Sequence, residues 1–118
     1  MRQDEVSVVA QKDMLICAFA ARYMRIHREK HFVNVTSRKM RELGRLVIQM
    51  KKIEPTINCL LDALRPKYFD CMVAATKVVA KYNDKTETYE SPTYAMNIAT
   101  TLTQCCDIAI VRALKRKQ

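Results

Sequence analysis

Glycine occurs once in these 118 residues (Gly44) and proline three times (Pro55, Pro66, Pro92). So few chain breakers argue against turn-rich β architecture, and a 49% hydrophobic content argues against disorder. One glycine also leaves nothing from which to build a phosphate-cradling loop, and neither G-x-x-x-x-G-K nor G-x-G-x-x-G occurs. No run of about 18 uncharged apolar residues exists to cross a bilayer. The N-terminus, MRQDEVSVVAQKD, lacks the basic-then-apolar order of a secretory signal. A soluble intracellular chain with no membrane association is expected. The five cysteines (Cys17, Cys59, Cys71, Cys105, Cys106) are an odd number with no C-x-x-C pair, so they are expected to be reduced core residues, small hydrophobes in a reducing compartment.

What the chain does have is long helical patterning and segregated charge. Its length fits one domain, residues 1–118, with its own core. The scarcity of breakers predicts an all-α fold, a single compact bundle of five to six helices. The net charge is +9, but residues 22–52 alone hold ten basic and two acidic side chains, a net +8. Residues 53–111 are net −2, and the tail 112–117 adds +4. Charge gathered this way reads as a footprint for an anionic partner, where even basicity would read as a solubility device.

Asp4 and Glu5 suit the first turn of a short helix through VSVVAQ. Asp13 can cap a second helix from about Met14 to Arg28, apolar nearly all round at first and amphipathic later, with Arg22, Arg25 and Glu29 sharing a face and Arg28 at its edge. Residues 30–33 read as a connection, with Asn34, Thr36 or Ser37 as caps for a third helix. At 100° per residue, Leu43, Leu46, Val47, Met50 and Ile53 form a core stripe on that helix, and Arg38, Arg41, Arg45 and Lys52 fall together roughly opposite it. Arg41 and Arg45 are like charges four apart, a pairing that costs a few tenths of a kcal/mol unless something anionic lies against them. Glu54-Pro55 ends the helix. A short fourth follows through TINCLLDAL, and Pro66 opens a fifth with Phe69, Met72, Val73, Thr76, Val79 and Ala80 as its buried side. The stretch NDKTETYE reads as a loop. Ser91-Pro92 starts the last helix, which runs to about Lys115 and packs with Tyr94, Ile98, Leu102, Cys105, Ala109, Val111 and Leu114.

No catalytic constellation is readable, so the chain is not expected to be an enzyme, and no cofactor is called for. His27 and His31 are four apart, but the sequence is H-R-E-K-H, with no third metal ligand placed by motif; they read as exposed residues at a helix end. Adjacent Cys105 and Cys106 project 100° apart on a helix and suit no disulfide. The methionines at helical spacing (Met14, Met24, Met40, Met50, Met72, Met96) read as core filler.

The stretch QKDMLICAFAARYMRIHREKHFVNVTSRKMRELGRLV, with LLDALRPKYFD and PTYAMNIATTLTQCCDIAI after it, resembles the helical region that precedes the catalytic domain in transposon-derived tyrosine recombinases of the Crypton-like kind, where it stands in the place of the core-binding domain. The likeness covers almost the whole chain and rests on no short invariant motif. It implies an all-α bundle gripping one side of duplex DNA, with cleavage performed by a separate C-terminal domain. The chain stops at Gln118, about where a linker to that domain would begin. None of Tyr23, Tyr68, Tyr82, Tyr89 and Tyr94 sits in the H-x-x-R setting of the family's nucleophile.

The expectation is therefore a nuclear DNA-binding domain in which Arg38, Arg41, Arg45 and Lys52 lie along a phosphate backbone, helped by Arg22, Arg25 and Arg28. Four to seven phosphate contacts would give a log–log salt slope of roughly −4 to −6, with little base readout. The alternatives are a helical module that binds an acidic protein or pairs with itself, offering an exposed apolar patch around Ile48, or a transposon remnant without activity.

Overall fold

The structure, a computed structural model, describes residues 4–83, 85–86, 88–90 and 92–116. Six α-helices carry these residues: α1 (Glu5–Lys12), α2 (Met14–Ile26), α3 (Phe32–Ile53), α4 (Leu60–Ala63), α5 (Phe69–Val79) and α6 (Pro92–Arg116). A two-residue antiparallel ladder, β1 (Tyr82–Asn83) with β2 (Thr88–Tyr89), ties the ends of the 82–89 stretch, which sequence reads as a plain loop. The all-α bundle expected from the scarcity of breakers is what forms. None of these helices is long and apolar enough to cross a membrane.

The 22-residue α3 is the axle, in contact with α1, α2, α4, α5 and α6. Its Leu43, Leu46, Val47 and Met50 meet Leu15, Ile16 and Phe19 of α2, with Ile57, Leu60, Ala75, Ile98, Cys105 and Ile108 closing the core. Gly44 lies on a different side of α3 from that stripe. There α1 comes so close that a Cβ at position 44 would stand 3.0 Å from the Val6 carbonyl oxygen and 3.3 Å from Val6 Cγ1. The only glycine of the chain is what lets two helix backbones approach.

Asp13 holds three segments together. Its main-chain N–H closes α1 on Val9, and its Oδ1 accepts from the N–H groups of Leu15 and Ile16 at 3.0 Å each, capping α2. Its Oδ2 accepts from Leu60 N–H, the first residue of α4, at 2.8 Å. The side chain is buried, and three backbone donors answer its carboxylate. Asp4 caps α1 in the same manner through Ser7 N–H at 2.9 Å.

Four local expectations shift. The third helix begins at Phe32, earlier than any of the three candidate caps, and its N-cap residue His31 makes no side-chain cap bond; stacking of Phe32 on His27, with ring centroids 4.5 Å apart, anchors this first turn in the place of a cap. Only Leu60–Ala63 of the TINCLLDAL stretch is helical, because Leu60 N–H is already taken by Asp13. Residues Pro66–Tyr68 form a 3₁₀ turn, and three residues per turn shifts the face of the helix that follows. Phe69 is consequently 66% exposed and Val73 is exposed, while Ala75 and Ala80 are buried. Finally, α6, about 37 Å long at 1.5 Å per residue, outruns the shorter α2 against which it packs. Val111 and Leu114 are exposed, and Ile108 is the last residue of α6 in the core. The expected Ser91 cap lies outside the described residues.

Candidate nucleic-acid interface

Of the four α3 cations placed on one band, Arg38, Arg45 and Lys52 are exposed, and none has an ion-pair partner among the described residues. They stand at i, i+7 and i+14, so they form a ridge with a cation about every 10 Å along the helix. Thr36 and Lys39, which touch Met24 and Tyr23 of α2, lie roughly 100–180° around α3 from that ridge at 100° per residue. The ridge therefore faces away from α2.

Arg41 does not belong to it. Its guanidinium makes a two-pronged contact with Asp4, Nη1 donating to Oδ1 at 3.0 Å and Nη2 to Oδ2 at 2.8 Å, and its side chain is 15% exposed. This hydrogen bond holds its pKa above the usual arginine value. The residue expected at the centre of the DNA band instead straps α1 to α3. The cause is the close seat of α1 beside Gly44, which swings Asp4 over position 41, a tertiary neighbour that helical projection does not reveal.

The α2 cations meet different company. Arg22 and Arg25, one turn apart, line one wall of an open groove of about 480 Å³, and Arg112 and Lys115, one turn apart on α6, line the other. Its floor is small and apolar: Ala18 and Ala21 of α2, Ile108 and Val111 of α6. No acidic side chain lines it, and none of the four cations has an ion-pair partner among the described residues. Arg28 lies past the end of α2, its Nε donating to the Arg25 carbonyl at 3.4 Å, rather than on the helix where it was expected. The seven basic residues thus divide into the ridge, the Arg22–Arg25 wall, Arg28 in the turn, and Arg41 in an internal pair.

Sequence reasoning missed Arg112 and Lys115 as partners of Arg22 and Arg25, because the basic end of the last helix is already explained by its dipole. The available signal is a pair of i,i+3 cations on each of two helices. Which helices lie side by side is a tertiary fact that the pattern does not carry.

At the edge of the ridge, Glu42 is buried, and its Oε2 has no hydrogen-bond partner among the described residues. Burial pushes its carboxyl pKa up, against the pull of Lys39, Arg38 and Arg45. The hydroxyl of Tyr94 donates to the Glu42 main-chain carbonyl at 3.2 Å, tying α6 to α3. Burial, then the Glu42 charge, raises the phenol pKa far above its usual value.

Other chemistry-bearing residues are absorbed by structure. His27 stacks on Tyr23 and Phe32, and His31 packs on Phe32 while pairing with Glu29 at 3.5 Å. Among the described residues no group of three or more His, Cys, Asp or Glu could hold a metal. All five cysteines are unpaired; Cys105 is buried, with burial pushing its thiol up to about 12, and the other four are half-buried. Ile48 is half-buried on α3. Exposed Met14 and Leu61 mark apolar surface elsewhere. No protein-family model, curated protein or solved structure matches this chain.

Proposed function

We propose that this chain is a DNA-binding helical domain that grips the phosphate backbone through the α2–α6 groove, with the α3 ridge as a second contact. The observation that carries the reading is the four cations, Arg22, Arg25, Arg112 and Lys115, drawn from two helices onto one groove without a carboxylate. Like charges held together repel, and the arrangement is relieved when an anion enters. Three of the four are arginines, whose planar fork fits two phosphate oxygens at once. A polyanion suits this geometry better than a small acid, because the two cationic walls run along the helices and the ridge adds three more charges on another surface. Affinity is then mostly electrostatic, and phosphate contacts position the domain without reading bases. This role fits the part that the resemblance to tyrosine-recombinase core-binding regions implies, holding duplex DNA in the nucleus while a separate domain does the cutting.

The test is charge reversal in the groove. Arg22→Glu with Lys115→Glu changes two exposed side chains, so the helical CD spectrum and unfolding midpoint should hold. Releasing two phosphates at 0.15 M salt corresponds to about thirty-fold in affinity, from a slope of about 0.9 per phosphate. A gel mobility titration with duplex DNA should show at least that loss. Equal binding by the variant and the parent would remove the proposal. Arg41→Glu is the wrong probe, because it sets a carboxylate against Asp4 and loosens α1 whatever DNA does.

A further inference from the structure

A second cavity, about 470 Å³, opens where α1, the first turn of α2, the 58–61 segment and the last turns of α6 converge. Its walls are apolar, with Val8, Leu15, Leu61 and Ala113 among them, and three cations border it: Lys12 at the end of α1, and Arg112 and Arg116 on α6. The one acid in the lining, Asp13, is committed to the backbone donors of Leu15, Ile16 and Leu60. The apolar surface also spills out of the cavity, with Met14 72% and Leu61 52% exposed at its mouth. Exposed contiguous apolar surface beside a pocket marks a place that a partner covers.

We propose that this pocket receives the apolar ridge of an acidic amphipathic helix from a protein partner. A single acyl chain could fill the cavity but would leave the tips of Met14 and Leu61 wet, whereas a helix laid across the mouth covers both, with its anchors at i, i+3 or i+4 and i+7. Arg112 and Arg116 are four residues apart, about 6 Å along α6, which matches glutamates four apart on a neighbouring helix. Lys12 stands on a different helix and engages the partner's other flank. Charge complementarity sets which helices are accepted, and the apolar ridge supplies the contact area. The inference is independent of DNA binding, apart from Arg112, which borders both the pocket and the groove.

The probe is a synthetic helix of about five turns with leucines at those anchor positions and glutamates on both flanks, compared with a twin in which lysines replace the glutamates. Fluorescence anisotropy should show the glutamate peptide binding at least ten-fold more tightly than its twin. Met14→Glu should weaken binding ten-fold or more without unfolding the domain, because an acid at the first position of a helix suits its dipole. Arg116→Glu should do the same, and Met14→Glu should keep the parent's affinity for DNA. Equal binding of the two peptides, or full binding by Met14→Glu, would overturn the proposal. So would saturable binding of dodecanoate by a protein that takes neither peptide, which would make the pocket a site for a small amphiphile.

Discussion

Replacing Asp13 with alanine removes the acceptor for three backbone donors at once: Leu15 and Ile16 N–H at the start of α2 and Leu60 N–H at the start of α4. Loss of an N-cap costs about 1 kcal/mol, and a buried donor left unanswered costs about 1–3 kcal/mol more. The expected destabilisation is therefore about 2–4 kcal/mol, a large fraction of the roughly 5–15 kcal/mol that a domain ordinarily has. Urea unfolding followed by CD reads it as a lowered midpoint with an unchanged slope. Asp13→Asn separates the components. Its amide oxygen still caps α2, but its nitrogen faces Leu60 N–H, donor against donor, so it should fall between the parent and alanine. Amide hydrogen exchange adds a local reading: Leu60 should lose protection in both variants, while Leu15 and Ile16 lose it only in Asp13→Ala. A cost below about 0.5 kcal/mol for Asp13→Ala, within the range of an ordinary surface change, or unaltered Leu60 exchange, would refute the assigned junction.

Glu42 carries a pH dependence of definite sign. Its folded-state pKa is raised by burial, so the folded state binds its proton more tightly than the unfolded state. Its contribution to stability is full below the usual carboxyl value of 4.5 and declines as pH rises through the folded pKa. Glu42→Gln should therefore raise the unfolding midpoint at pH 7, with the gain vanishing below pH 4.5; a loss of stability at pH 7 would contradict the burial cost. At Gly44 a leucine has to displace α1, since even a Cβ would meet the Val6 carbonyl oxygen at 3.0 Å. Gly44→Leu should cost about 1–3 kcal/mol by overpacking, with the amide exchange of α1 rising most.

The helices are legible in sequence because they announce themselves locally. Asp13 is an N-cap before an apolar run, Pro55 and Pro92 stand at helix boundaries, and the α3 core stripe recurs at helical spacing and is buried at Leu43, Leu46, Val47 and Met50. Legibility fails where a neighbour in space decides. Arg41 looks identical to Arg45 in projection, yet α1 reaches one and not the other. Met14 looks like core filler but lies at the mouth of a cavity. Phe69 looks buried until a 3₁₀ turn rotates the helix it begins. The candidate interface is half visible: Arg22 and Arg25 share a helix face in the sequence pattern, whereas Arg112 and Lys115 join them only through the packing of α6 against α2.

The salt dependence of duplex binding is the most direct measure of whether the α2–α6 groove holds phosphate. Association constants taken between 50 and 200 mM salt for the parent and for Arg22→Gln with Arg112→Gln should both fall linearly on logarithmic axes, the variant's slope being shallower by about 1.8, or 0.9 for each phosphate released. Parallel lines for the two proteins, or a parent whose binding ignores salt, would contradict it.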